Sequence, residues 1–273
     1  MSAQEEPGIG DISPVAATGV EKEPMALIDT TGSMTWPNED GGKTARKDVL
    51  GEAMGIIVAK LGAEDSQAEA EKEAGEDAGG LMTVTFAKDN VQKIGDLSSE
   101  NWRQKWGEVR WGNQTEIMPG WNALNEVFLD EFGDTPQLDR PKMLALVITD
   151  GEAEDTDAFA AEMGKIGKRA YVVLAIMGYG EEHDRALQVY QQVAAGNDHV
   201  RVVSFGNTAD PNRIADAILS LAAEPRSRDG PGPPPVRFLL PRRLGDPQPK
   251  RHSDDQRPGC GSRSVLGSSR RDP

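Results

Sequence analysis

Short apolar runs alternate with amphipathic segments through the middle of the chain. A run that is apolar at every position predicts a strand that is buried on both faces. Mainly apolar runs of this kind, some of them interrupted by polar residues, predict five strands, at 25–28, 81–86, 143–149, 171–177 and 200–205. A sixth strand, at 91–97, is predicted to pair back on the second strand as a hairpin around Lys88-Asp89-Asn90.

Between these runs, apolar residues recur at the spacing of a helix. Val49, Ala53 and Ile57 mark one face of a helix predicted over 43–62. Further helices are predicted to open at Ser98 with Trp102 and Trp106, at Pro119, around 159–166, around 187–193 and at Pro211. This alternation predicts an α/β fold: a doubly wound, Rossmann-like, mostly parallel six-stranded sheet with one antiparallel strand and helices on both faces.

Three regions of different composition divide the chain. Residues 1–23 are polar and show no sustained period, so they are predicted to be a flexible leader. Residues 24–224 contain the predicted strands and helices and form the folded domain. Residues 225–273 hold ten of the eighteen prolines together with many arginines, and they are predicted to be a disordered, basic tail.

The formal net charge of −15 is distributed unevenly. Residues 1–224 carry 19 Lys and Arg against 40 Asp and Glu, whereas residues 225–273 carry 11 against 5. An acidic body repels phosphates, so no nucleic acid is expected to bind the folded domain. For the basic tail, a nucleic-acid-binding segment and a merely solvated segment both stay open.

Composition also predicts where the protein resides. No stretch of about 18 apolar residues indicates a membrane span, and residues 1–23 lack the basic start and apolar stretch of a signal peptide. Cys260 is the single cysteine, which excludes an internal disulfide and fits a reducing compartment. These features predict a cytoplasmic protein without a membrane partner.

Two of the predicted strands end in an aspartate, at Asp29 and at Asp150. In open α/β sheets, ligands bind beyond the carboxyl ends of the strands, where neighbouring connections diverge. The two carboxylates are therefore expected at the ligand-binding edge of the sheet.

The segment after the first strand reads Asp29-Thr30-Thr31-Gly32-Ser33-Met34. It resembles the Asp-x-Ser/Thr-Gly-Ser-Met signature of von Willebrand factor A domains, whose loop belongs to a metal-ion-dependent adhesion site. Two further ligand loops of that family have counterparts in Trp111-Gly112-Asn113-Gln114-Thr115 and Ile148-Thr149-Asp150-Gly151-Glu152. The resemblance covers about 200 residues and presents all three loops in the family's order.

This resemblance implies a site for one divalent cation, with Mg²⁺ first and Mn²⁺ or Ca²⁺ as alternatives. Thr31, Ser33 and Thr115 would be direct ligands, while Asp29 and Asp150 would hold metal-bound waters and orient the hydroxyls. Hydroxyl and carboxylate oxygens are the hard ligands that Mg²⁺ prefers. The implied partner is a protein that brings an Asp or Glu to the vacant coordination position, and the implied strand order is 3-2-1-4-5-6.

Other interpretations of the same residues stay open. Thr31 and Ser33 are also typical helix caps, and Asp150 before Gly151 is also typical of a turn. A haloacid-dehalogenase-like phosphotransferase would use Asp29 as its nucleophile, but it requires a second carboxylate where this chain has Thr31. The third alternative is a scaffold of the same fold whose site holds no metal.

Overall fold

The apolar runs of the sequence form the strands of one sheet. The computed structural model describes residues 22–38, 42–69, 80–151, 153–167, 169–206 and 208–223. Nearly all of the predicted leader and the whole predicted tail lie outside these residues. Within them, the strands are β1 Lys22–Asp29, β2 Leu81–Ala87, β3 Asn90–Leu97, β4 Lys142–Thr149, β5 Ala170–Met177 and β6 Val200–Gly206.

The sheet has the predicted architecture. The strand order is β3-β2-β1-β4-β5-β6. Strand β3 runs antiparallel to β2, and the other neighbouring strands are parallel. The doubly wound α/β fold and the antiparallel hairpin predicted from the sequence are therefore confirmed.

Helices cover both faces of the sheet. They are α1 Arg46–Glu69, α2 Trp102–Glu108, α3 Met118–Phe132, α4 Thr156–Lys165, α5 Glu181–Gly196 and α6 Pro211–Ala223. A 3-10 turn, Gly32–Thr35, follows β1. The helix predicted over 43–62 begins three residues later and continues to Glu69.

Two hydrophobic layers hold the sheet between its helices. Successive side chains of a strand point to opposite faces. Ala26 and Ile28 of β1 therefore join one layer, which α1 and α6 complete, whereas Met25 and Leu27 join the other, which includes residues of α3, α4 and α5. Because both faces are covered, the central strands β4 and β5 are continuous apolar runs.

Two tryptophans attach α2 to α1 through glycines of α1. A Cβ on Gly55 would lie 2.5 Å from the Trp102 ring, and a Cβ on Gly51 would lie 2.7 Å from Nε1 of Trp106. The absence of side chains at these two positions lets the indole rings lie directly on the helix backbone. The two tryptophans thus pack α2 against α1.

None of the helices within the described residues is both long enough and apolar enough to span a bilayer.

The topology brings the loops after β1 and β4 together. These two strands are parallel neighbours, with Ile28 opposite Ile148. The chain leaves β1 toward β2 on one side of the sheet and leaves β4 toward β5 on the other. The two connections diverge at this point and leave space at the carboxyl edge of the sheet.

Candidate metal centre

Asp29 lies at the bottom of the candidate site, at the end of β1. Its side chain is completely inaccessible to solvent. The backbone N–H of Thr31 donates to Oδ1 at 2.8 Å, and the hydroxyl of Thr149 donates to Oδ2 at 2.7 Å. Both carboxyl oxygens are thus held by neighbouring loops, and the carboxylate is fixed beneath the surface.

Thr31 and Ser33 present their hydroxyls above Asp29. Their oxygens Oγ1 and Oγ are 3.1 Å apart. Thr31 occupies the residue before the 3-10 turn, yet its side chain makes no capping hydrogen bond there. A purely capping role does not account for the position of Thr31, and its hydroxyl faces that of Ser33 instead.

Asp150 follows β4 and connects the second carboxylate to the same hydroxyls. Ser33 Oγ donates to Asp150 Oδ1 at 3.0 Å. Arg46 Nη1 donates to Asp150 Oδ2 at 2.6 Å, and both side chains of this ion pair are buried, with 7% and 4% of their surface exposed. Asp150 therefore takes part in a buried network that crosses from α1 to the loop after β1.

The loop carrying Thr115 is attached to both of the other loops by its backbone. Gly32 N–H donates to Asn113 O at 3.1 Å, and Glu154 N–H donates to Thr115 O at 2.9 Å. Asn113 adopts a left-handed conformation with φ of 68°, which Asn tolerates better than most residues. These contacts place the third predicted ligand loop beside the first.

The three predicted hydroxyl ligands line one open depression of about 550 Å³. Asp29 and Asp150 are not among its lining residues and lie behind the hydroxyls. The lining consists of Thr31, Gly32, Ser33, Thr35, Trp36, Asn113, Gln114, Thr115 and Glu154. The structure thus brings Thr31, Ser33 and Thr115 to a common surface and Asp29 and Asp150 to the layer beneath it.

The two carboxylates influence each other. Burial and, to a smaller extent, the negative charge of Asp150 raise the pKa of Asp29 to about 7, although hydrogen bonds from Thr31 and Thr149 act in the opposite direction. A buried carboxylate without a cation is unfavourable because it has lost the stabilisation of water. A cation in the depression would relieve this cost.

The spacing of the hydroxyls fits a small divalent cation. Two adjacent ligands of an octahedral Mg²⁺ ion, each at about 2.1 Å, lie about 3 Å from one another. The Thr31 and Ser33 oxygens have this separation, which is also that of the hydrogen bond between them. No group of three or more His, Cys, Asp or Glu side chains suited to a metal ion occurs in the described residues. A metal here would depend on hydroxyls, as the resemblance implies.

Asp155, five residues after Asp150, has a structural role. Asp155 Oδ1 and Oδ2 accept hydrogen bonds from the backbone N–H groups of Ile117 and Met118, at 2.9 and 2.7 Å. A carboxylate in this position caps the N-terminus of α3 and complements its dipole. Asp155 is therefore not aimed at the depression.

Sequence reasoning missed Arg46 and Thr149, which hold the two carboxylates. Arg46 is the first residue of α1, where a positive charge opposes the helix dipole, but the helix predicted from the sequence begins at residue 43 and gives no sign of this conflict. Thr149 was a polar residue at the end of an apolar strand, directly before Asp150. Trp36, 60% exposed at the rim of the depression, was also overlooked.

Comparisons with known proteins give similarities to solved structures only. No model of a protein family matches the chain, and neither does any curated protein. The structure resembles the SpRpn10 VWA domain, with 12% identity and a TM-score of 0.49 over 74% of this chain and 95% of that one. It also resembles the manganese-loaded Plasmodium vivax TRAP protein, with 14% identity and a TM-score of 0.47 over 74% and 73%.

A third similar structure is the conserved hypothetical protein BatB from Bacteroides thetaiotaomicron. Its identity is 14% and its TM-score 0.43, over 75% of this chain and 99% of that one. The residues of the site itself therefore have to carry any functional conclusion.

Proposed function

We propose that this chain is an interaction module of the von Willebrand factor A type. It binds one divalent cation, Mg²⁺ in the first place, through the hydroxyls of Thr31, Ser33 and Thr115. It then captures a partner protein through an Asp or Glu side chain that the partner brings to the cation. The observation that carries this proposal is the common depression lined by hydroxyls from separate loops, with two buried carboxylates behind them.

The donor set determines what the site does. A bound Mg²⁺ would supply a positive charge with one coordination position open to an oxygen of the partner. The three hydroxyls are neutral, so they leave most of that charge unneutralised. Asp29 and Asp150 hold the surrounding hydroxyls and backbone in place and contribute negative charge from beneath. A partner carboxylate is therefore attracted more strongly than it would be by a site with several directly bound carboxylates.

The geometry does not favour Asp29 as the nucleophile of a phosphotransferase. Both of its oxygens accept hydrogen bonds, and the side chain has no accessible surface. A nucleophilic carboxylate needs a free oxygen facing the substrate. The second carboxylate that such an enzyme requires is also missing, because the corresponding residue is Thr31.

The ion pair of Arg46 and Asp150 is the observation that favours a metal-free scaffold as the second candidate. The guanidinium already supplies a positive charge to one carboxylate of the site. The two candidates differ in a direct measurement. A metal-binding module gains thermal stability from Mg²⁺ or Mn²⁺, whereas a metal-free scaffold does not.

The first experiment measures cation binding to the purified full chain by calorimetric titration with Mg²⁺ and with Mn²⁺. The wild type is compared with Thr115→Ala and with a matched control, Thr135→Ala, which lies in the turn after α3 at the opposite edge of the sheet. We expect binding by the wild type and the control, and at least about ten-fold weaker binding by Thr115→Ala. Equal binding by all three proteins, or by none, would refute the proposed site.

The second experiment tests capture of a partner. Immobilised chain is incubated with extract in Mg²⁺ and in EDTA, and proteins retained only in Mg²⁺ are identified and purified. Each candidate is then tested with its exposed carboxylates replaced one at a time by the corresponding amides. One such replacement is expected to abolish cation-dependent binding. If every carboxylate can be replaced without loss, the mechanism of capture is wrong.

A further inference from the structure

Arg46 combines features that are individually unfavourable. It lies at the N-terminus of α1, where the helix dipole repels a cation. Its side chain is buried, and Nε has no hydrogen-bond partner among the described residues. A buried guanidinium loses most of its hydration, which a single ion pair often fails to offset. Local rules broken in this way are expected at functional positions.

The surroundings of Arg46 fix the guanidinium against the candidate site. Nη1 donates to Asp150 Oδ2 at 2.6 Å and lies 3.5 Å from Ser33 O. Gly178 allows the close approach from the other side, because a Cβ at that position would lie 2.8 Å from Cζ of Arg46. The centroid of the Tyr179 ring is 5.6 Å from Cζ of Arg46. The cation is thus held between the loop after β5 and the loops that bear Ser33 and Asp150.

We propose that Arg46 is a resident counter-ion of the site, which neutralises Asp150 in the absence of metal and competes with the divalent cation for that carboxylate. This inference rests on the proposed function. Asp150 uses Oδ1 for Ser33 and Oδ2 for Arg46, so the two halves of one carboxylate face the hydroxyl ligands and the internal cation. A divalent ion next to Ser33 would share Asp150 with a guanidinium that repels it.

Two consequences follow from this arrangement. The internal cation balances the charge of Asp150 in the metal-free site, so the affinity of the site for metal is lower than it would be without Arg46. The same positive charge adds to that of the metal, so the loaded site attracts an anionic partner more strongly. Arg46 therefore lowers the affinity of the site for the metal ion and raises the affinity of the metal-loaded site for the partner's carboxylate.

The test is the affinity of the full chain for Mn²⁺ and Mg²⁺, measured by calorimetric titration of the wild type and of Arg46→Gln. Glutamine keeps a hydrogen-bond donor near Asp150 but carries no charge. We expect Arg46→Gln to bind Mn²⁺ at least about ten-fold more tightly, because the metal becomes the only cation that neutralises Asp150. Affinity that is unchanged or weaker in Arg46→Gln overturns the inference.

Two further variants separate this effect from a general change of charge. Lys47→Gln removes a positive charge from the next residue, whose ammonium pairs with Asp48 instead. It is expected to change the affinity by less than about two-fold, because a charge that is partly exposed and already paired is screened. Arg46→Lys keeps the charge and is expected to stay within about three-fold of the wild type. A larger gain in either control contradicts the proposed role.

A double variant keeps the inference testable even when Arg46→Gln fails to fold. Asp150→Asn leaves the guanidinium facing the metal without its counter-charge, while Arg46→Gln/Asp150→Asn removes both charges. The double variant is expected to bind Mn²⁺ at least about ten-fold more tightly than Asp150→Asn. An equal or weaker affinity overturns the inference. Absence of Mn²⁺ and Mg²⁺ binding in the wild type and in every variant would instead refute the proposed function on which it rests.

Discussion

Ser33 Oγ donates a hydrogen bond to Asp150 Oδ1 at 3.0 Å, although 117 residues separate them in the chain. The bond joins the loops after β1 and β4, the parallel neighbours at which the connections of the sheet diverge. It also links a hydroxyl that lines the depression to a carboxylate buried behind it. Thr31, Ser33 and Asp150 thus belong to one hydrogen-bonded network that joins the two loops.

Asp29→Asn is expected to stabilise the metal-free protein. Burial raises the pKa of Asp29, and no cation pairs directly with this carboxylate within the described part of the chain, so its ionised form at pH 8 is unfavourable. An asparagine still offers an oxygen to the N–H of Thr31 and removes the charge. In EDTA at pH 8, urea denaturation should show an increase of about 1–3 kcal/mol in the free energy of unfolding.

The same variant should lose the stabilisation by cations. The wild type is expected to gain melting temperature in Mg²⁺ relative to EDTA, and Asp29→Asn is expected to gain little, because one of the charges that attract the ion is gone. A variant that is less stable than the wild type in EDTA, and that still responds fully to Mg²⁺, would contradict both expectations.

Under the proposed function, Trp36→Ala is expected to weaken partner binding at least about ten-fold, since an exposed tryptophan beside the candidate site is typical of an energetic hot spot. Its backbone is fixed by bonds from Trp36 N–H to Ser33 O and from Arg46 N–H to Trp36 O, both 2.9 Å. The indole contributes no oxygen to the metal, so cation affinity should remain within about two-fold. Partner affinity is measured in Mg²⁺ by surface plasmon resonance.

The control for Trp36→Ala is Leu138→Ala. Leu138 is 98% exposed and lies in the segment between α3 and β4, away from the carboxyl edge of the sheet. Its replacement should leave partner affinity unchanged. If the two substitutions weaken binding equally, the loss reflects general removal of apolar surface and not a contact at the site.

The sequence was sufficient for the parts of the molecule that depend on periodicity. Mainly apolar runs identified the strands, and the aspartates at the ends of two of them identified the edge of the sheet where the candidate site lies. Asp29 and Asp150 could be placed together because the carboxyl ends of parallel strands share one edge. Grouping Thr115 with Thr31 and Ser33 required the family resemblance, since nothing in the local pattern relates residues so far apart.

Arg46 could not be assigned from the sequence for a physical reason. Its partner Asp150 is 104 residues away, and the pairing depends on where α1 begins relative to the end of β4. The hydrophobic pattern defines the buried face of α1 but leaves the position of its first residue uncertain by several residues. Trp36 was missed because a loop without periodicity gives no indication of which of its side chains remain exposed.

Gly55 and Gly62 of α1 differ in the space around them, which gives a prediction about stability. Gly55→Ala should lower the free energy of unfolding by about 1–3 kcal/mol, because the added Cβ would lie 2.5 Å from the Trp102 ring. On the same helix, a Cβ at Gly62 meets no described atom within 4 Å. Gly62→Ala should therefore raise the free energy of unfolding by up to about 1 kcal/mol through helix propensity. Urea denaturation of the two variants and the wild type measures both effects.

One result would contradict this packing of α2 on α1. Equal effects of the two alanines, of either sign, would mean that the contact between α1 and α2 is looser than the structure has it. Circular dichroism in the far ultraviolet should show the same helix content in all three proteins.

His183 is expected to make the fold sensitive to acid. Its ring is buried between Met177 O, 2.8 Å from Nδ1, and Ser204 Oγ, 2.9 Å from Nε2. Burial lowers the pKa of His183, so the neutral ring is favoured in the folded protein. Its contribution to stability is complete above the pKa of the unfolded chain, near 6.5, and is lost as the pH falls through the lower pKa of the fold. Between pH 7.5 and 5, His183→Gln should therefore lose less unfolding free energy than the wild type, measured by urea denaturation in EDTA. Parallel losses in the two proteins would show that other groups cause the acid sensitivity.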